Sequence, residues 1–136
     1  GRVRLCFIRN LNPCSMPSQK ILVVDDSASQ RMLVAAVLTK EGHNVIMACD
    51  GEEAVAKAKS ELPDLIIMDI VMPGLNGFQA TRAITNDEST WHIPVILLTS
   101  KDMDSDRVWA LRQGATAFMN KPLNHTALLE LVNTLA

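Results

Sequence analysis

Cysteine is scarce in this sequence: Cys6, Cys14 and Cys49 are the three found in 136 residues. An odd count, with two near the N-terminus, supplies neither a disulfide framework nor CxxC ligand pairs for a metal. That usage fits a reducing, cytoplasmic setting. The N-terminus also lacks a long apolar run. Its longest, Leu5-Cys6-Phe7-Ile8, is far short of the ~20 residues that span a bilayer. It is also shorter than the core of an export signal, so no membrane association is expected. A basic excess is missing too. Thirteen Lys and Arg stand against fifteen Asp and Glu, a net charge of −2. Residues 1–19 carry only Arg2, Arg4 and Arg9, which leaves 20–136 with ten basic and fifteen acidic side chains, net −5. An acidic body is a poor match for a phosphate backbone, which argues against nucleic acid as a partner.

What is present is a core. Hydrophobic residues make up 48% of the chain, and its length suits one domain rather than two independent cores. Residues 1–18 show no periodicity and are broken by Asn10, Asn12, Pro13, Ser15, Pro17 and Ser18. They read as a flexible N-terminal extension to a domain over 19–136. Met16 directly precedes the patterned region and is a candidate natural start, with 1–15 then foreign to the native chain. A native but poorly ordered arm is the equal alternative.

From Lys20 onward, short apolar runs alternate with helical patterns. Ile21–Val24, Val45–Ala48, Leu65–Met68 and Val95–Leu98 are runs of the kind that form strands buried on both faces. A weaker fifth strand is predicted at 116–120. Helices are predicted over about 27–41, 51–61, 77–86, 104–113 and 124–135. In the first, Leu33/Val37 and Val34/Leu38 are paired at i,i+4; in the second, Ala54, Val55, Ala58 and Leu62 share one side. Gly42 and Gly114 mark exits, Met72-Pro73-Gly74 a turn, and Asn124 an N-cap. Asp102, Asp104 and Asp106 at the entry of the fourth helix suit its dipole. Five strands alternating with five helices imply an α/β fold, a parallel sheet covered on both faces.

Polar residues interrupt this framework at the strand ends. Asp25 and Asp26 follow the first strand, Asp69 ends the third, Thr99 the fourth and Lys121 the fifth. Ligands of open parallel sheets bind beyond the carboxyl ends of the strands, near the reversal of strand order. With a 2-1-3-4-5 order, the first and third strands are neighbours ~4.8 Å apart, so their acids converge. Three converging carboxylates repel unless protonated or bridged by a cation. All-oxygen ligation suits a hard divalent ion, most simply Mg2+. Lys121 supplies a point charge for an anionic group, and Thr99 a hydroxyl donor. Singly, Asp25 or Asp26 reads as a helix cap, Asp69 as structural, Thr99 as a β-former and Lys121-Pro122 as a loop dipeptide. All five at one sheet edge describe a phosphoryl site.

ILVVDDS (21–27), LIIMDIVMPGLNG (65–77), PVILLTSKD (94–102) and GATAFMNKP (114–122) resemble the receiver domain of two-component response regulators. The resemblance covers about 20–136. It implies a flavodoxin-like, doubly wound five-stranded sheet of order 2-1-3-4-5 with five helices. It implies a signalling domain rather than a conventional enzyme, in which Asp69 accepts a phosphoryl group from a histidine kinase. It implies Mg2+ held by Asp26, Asp69 and the backbone carbonyl of Val71, with Asp25 acting through water. Lys121 would contact the phosphoryl group, Thr99 would bond to it once formed, and Phe118 would be the switch aromatic. Phe118 has no hydroxyl, so its inward state would rest on apolar packing, with the small Ser100 leaving it room. A plain core aromatic is the duller reading. Val71 and Lys101, two positions beyond Asp69 and Thr99, would flank the acyl phosphate and tune its lifetime. DIVMPGLNGFQATR and VWALRQGA are most similar to stand-alone receivers of chemotaxis-like systems that control type IV pili and twitching.

The expected output is a target protein docked on the face formed by the fourth predicted helix, the fifth strand and the fifth helix, by a monomer or weak dimer. No output domain is expected beyond the last predicted helix. The alternative output is a phosphate sink for another receiver. An Mg2+-dependent phosphatase of the haloacid-dehalogenase type also uses a strand-end Asp, but resembles Asp-x-Asp; here Asp25-Asp26 has no spacer. A degenerate receiver is disfavoured because all five key positions are filled. Trp109 is core filler or part of a partner surface. His43, His92 and His125 read as structural or solvated.

Overall fold

The computed structural model describes residues 18–72, 74–99, 114–121 and 124–135. Five strands, β1 Lys20–Val24, β2 Asn44–Ala48, β3 Leu65–Asp69, β4 Val95–Thr99 and β5 Ala117–Asn120, form one sheet of order β2-β1-β3-β4-β5. Every pairing is parallel, as the alternation of elements requires. Four helices lie among the described residues: α1 Ala28–Lys40, α2 Gly51–Glu61, α3 Gly77–Thr85 and α4 His125–Leu135. The predicted helix over 104–113, with Trp109, falls outside them, as do Pro73, Ser100, Lys101 and Pro122. So do residues 1–17.

The strands are buried on both sides because successive side chains point to opposite faces. Leu22, Val24, Ile66, Met68, Val95 and Leu97 pack with Ala54, Ala58, Ala80 and Ile84 of α2 and α3. Ile21, Val23, Leu65, Ile67, Ile96 and Leu98 pack with Val34 and Leu38 of α1 and Leu128 and Val132 of α4. Two half-cores thus sandwich the sheet.

Each helix entry is fixed by its sequence. Ser27 caps α1, Asp50 caps α2, and Asn76 caps α3 in a reciprocal capping box with Gln79. Two expected helix faces differ from the structure. Leu33 is exposed, so only the Val34/Leu38 row of α1 meets the sheet. Leu62 is exposed as well, because it turns to a left-handed φ of 48° as the C-cap of α2 instead of continuing the helix. Periodicity gave both side chains a neighbour at helical spacing, but the sheet covers only part of each helix.

Gly77 matters for the site. A Cβ there would lie 2.5 Å from the Asp69 carbonyl oxygen and 2.7 Å from Ile70 Cα. The missing side chain lets the start of α3 press against the end of β3, where its N–H bonds to the Ile70 carbonyl at 2.9 Å.

Candidate functional site

The parallel register brings the polar residues together. Val24 pairs with Met68, so Asp25 and Asp69 emerge from neighbouring strand ends. Asp69 pairs in turn with Leu98, and Thr99 with Asn120. The Lys121 N–H closes this edge by bonding to the Thr99 carbonyl at 2.6 Å. Asp25, Asp69 and Thr99 are buried, Lys121 is partly buried, and Asp26 is exposed.

Asp25, Asp26 and Asp69 each present one carboxylate oxygen, and these lie within 4.8 Å of one another. The Lys121 ammonium lies 3.0 Å from Asp25 Oδ2 and 3.3 Å from Asp69 Oδ1. Neither Asp25 nor Asp26 is the helix cap; Ser27 takes that place. Asp25 Oδ1 instead accepts the Ser27 N–H at 2.9 Å.

Burial pushes the Asp69 carboxyl above the usual aspartate range, and the charges of Asp25 and Asp26 push the same way, against the attraction of Lys121. Burial on its own would lower the Lys121 ammonium; the hydrogen bond it donates to Asp25 and the nearby carboxylates outweigh it and raise it. A lysine held charged beside a partly desolvated carboxylate can neutralise an incoming anion. The donor set also fits a hard divalent cation: three clustered carboxylates, all oxygen, with their mutual repulsion to be offset.

Val71 is exposed just beyond β3. Phe118 is partly buried against the half-core of α2 and α3, paired with Leu97. Lys101 lies outside the described residues. His43 is buried, with Nδ1 accepting the Gln19 N–H at 3.1 Å, whereas His92 and His125 are exposed. Sequence reasoning missed Arg31, whose Nη1 donates to the Asp25 carbonyl at 2.6 Å. Its place one turn after the N-cap, on the strand-end side, was the available signal.

Residues 21–133 match the response regulator receiver domain. The chain is 50% identical over 114 residues to protein PilH of Pseudomonas aeruginosa, covering 84% of this chain and 94% of that protein. It is 42% identical over 118 residues to the response regulator PleD of Caulobacter vibrioides, covering 87% of this chain but 26% of PleD. The chemotaxis protein CheY4 of Vibrio cholerae has the same fold, with a TM-score of 0.83 at 33% identity over 88% of this chain and all of that one. The receiver domain of a sensor histidine kinase from Pseudomonas aeruginosa PAO1, solved with a magnesium ion coordinated in its active-site cleft, matches with a TM-score of 0.81. That match has 31% identity and covers 88% of this chain and 98% of that one. With its sheet order, its strand-end acids and these matches in agreement, the chain belongs to the family of response regulator receiver domains of two-component systems.

Proposed function

We propose that Asp69 is the phosphoacceptor and that its phosphorylation by a histidine kinase changes a docking surface for a target protein. The observation that carries this reading is the shared Lys121 ammonium, 3.0 Å from Asp25 and 3.3 Å from Asp69 at the head of the sheet. A carboxylate oxygen of Asp69 attacks the phosphorus of a phosphohistidine, the P–N bond breaks, and the imidazole nitrogen leaves with the bonding pair. Transfer of this kind has a loose transition state, so catalysis is mostly positioning and charge neutralisation. Lys121 is placed to pair with the phosphoryl oxygens, which requires it to loosen its hold on Asp25. Asp26, Asp69 and the Val71 carbonyl would hold Mg2+ directly and Asp25 through water. When bound, the ion supplies charge neutralisation at the phosphoryl group.

Once the acyl phosphate exists, Thr99 turns its hydroxyl to a phosphoryl oxygen. The space it vacates admits Phe118, whose half-buried ring already lies against the core. This biases a two-state surface that includes β5 and α4. The likeness to PilH and CheY4 supports a chemotaxis-like signalling role in pilus or twitching control, inside the cytoplasm. No helix among the described residues is long and apolar enough to cross a membrane.

The test is labelling with acetyl phosphate and Mg2+, followed by intact mass. Wild type should gain one phosphoryl group and Asp69→Asn none, and chelating Mg2+ should abolish the label. Persistent labelling of the variant at another site would remove Asp69 from its role.

A further inference from the structure

Arg31 grips the loop between β1 and α1 at two carbonyls. Its backbone N–H bonds to the Ser27 carbonyl at 3.0 Å, and its Nη1 reaches back to the Asp25 carbonyl at 2.6 Å. Asp26 lies between those two anchor points. The neighbouring Asp25 is held by other partners as well. Its N–H bonds to the Ala48 carbonyl at 3.2 Å, Oδ1 accepts from Ser27 N–H and Oδ2 accepts from Lys121. Asp26 is exposed, and its carboxylate has no hydrogen-bond or ion-pair partner among the described residues. With no partner to hold the carboxylate, the backbone fixes the origin and Cα–Cβ direction from which it reaches an ion.

That backbone is where Arg31 acts. The carbonyl it holds belongs to the peptide plane joining Asp25 to Asp26, and a planar peptide fixed at its oxygen fixes the approach to the next Cα. A charge-assisted bond of this length is among the stronger hydrogen bonds available. We propose that Arg31 is a positioning residue for a divalent cation: by fixing the Asp25–Asp26 peptide, it aims the Asp26 carboxylate at the ion shared with Asp69. This rests on the reading of Asp25, Asp26 and Asp69 as the cation site.

The proposal has a sign that a purely electrostatic role would reverse. A guanidinium bonded to the Asp25 carbonyl carries a positive charge that repels a dication held by Asp26, so if Arg31 acted only as a charge, removing it would tighten cation binding. If it positions Asp26, removing it weakens binding despite the lost repulsion.

The experiment titrates MgCl2 into the whole chain and follows backbone amide shifts of residues 25–27 by NMR. Arg31→Met keeps the side-chain length but neither donor nor charge; Arg31→Lys keeps the charge and a donor. Arg31→Met should weaken Mg2+ binding about tenfold, the lower end of what outer partners of metal ligands contribute, and Arg31→Lys should restore most of it. Wild type showing no saturable Mg2+ binding, or Asp26→Asn binding as wild type does, would overturn the cation site itself. With those controls passed, unchanged or tighter binding in Arg31→Met, or a loss that Arg31→Lys does not recover, overturns the role of Arg31. A fall in melting temperature with unchanged Mg2+ affinity would likewise assign Arg31 to stability alone.

Discussion

The Lys121 ammonium lies 3.0 Å from Oδ2 of Asp25, although 96 positions separate the two residues in the chain. The same ammonium is 3.3 Å from Asp69 Oδ1. One positive charge is thus shared between two buried carboxylates, with a third close by, and their repulsion is incompletely offset. Two consequences of this arrangement, and two of features elsewhere in the chain, can be measured.

Asp69→Asn should stabilise the cation-free protein. The folded Asp69 carboxyl holds its proton more tightly than an ordinary aspartate, chiefly through burial. Its ionisation therefore costs folding stability at neutral pH, and the cost disappears as pH falls through the raised folded value. The variant should melt at a higher temperature than wild type. The gap should close in acid buffer and on adding Mg2+. Thermal melts at neutral pH without divalent ions check it; an equal or lower melting temperature for the variant would sink the argument.

The acyl phosphate should be long-lived. Hydrolysis needs a water held in line with the phosphorus. Val71, 64% exposed, offers bulk without a hydrogen bond, and Lys101, being protonated, cannot accept a proton from that water. Replacing Val71 by Asn and Lys101 by Glu should speed hydrolysis by roughly tenfold or more, a barrier change of only ~1.4 kcal/mol. The readout is decay of labelled protein after the donor is removed, at constant Mg2+. Decay no faster in the double variant would mean other groups set the lifetime.

Mild acid should weaken the fold through His43. Burial lowers its imidazole below the usual value, against a smaller opposing pull from Glu41, and its Nδ1 must stay unprotonated to accept the Gln19 N–H. The unfolded chain therefore takes up this proton first. The stability His43 contributes is present above the ordinary histidine value of about 6.5 and is lost as pH falls below it. His43→Asn, which keeps an acceptor but does not titrate, should lose less melting temperature between neutral and mildly acid buffer. Parallel losses in variant and wild type would show that carboxylates alone govern the slope.

Starting the chain at Met16 should leave both folding and Asp69 labelling unchanged, since residues 1–15 carry no patterned apolar face and no candidate site residue. A melting-temperature drop well beyond the ~2–8 °C that 1 kcal/mol produces would show that this segment packs on the domain.

The strands were legible because each is a contiguous apolar run, and the strand-end acids because they interrupt those runs. Helix faces were less so. Leu33 and Leu62 have the right spacing to be buried, yet both are exposed, because what covers a helix is decided by neighbours distant in sequence. Arg31 was missed for a related reason: its bond runs to a backbone carbonyl, which carries no residue identity to read, so its place one turn after the N-cap was the one signal.

The sequence by itself determined the alternation of strand and helix and the acids, hydroxyl and lysine that stand at the strand ends, since these follow from short-range spacing and side-chain type. Tertiary structure alone decided that Lys121 sits between Asp25 and Asp69, that burial raises the Asp69 carboxyl, and that Asp25 is buried while Asp26 is left exposed. Those relations depend on parallel register and on which surfaces exclude water, and both arise only when segments far apart in the chain pack together.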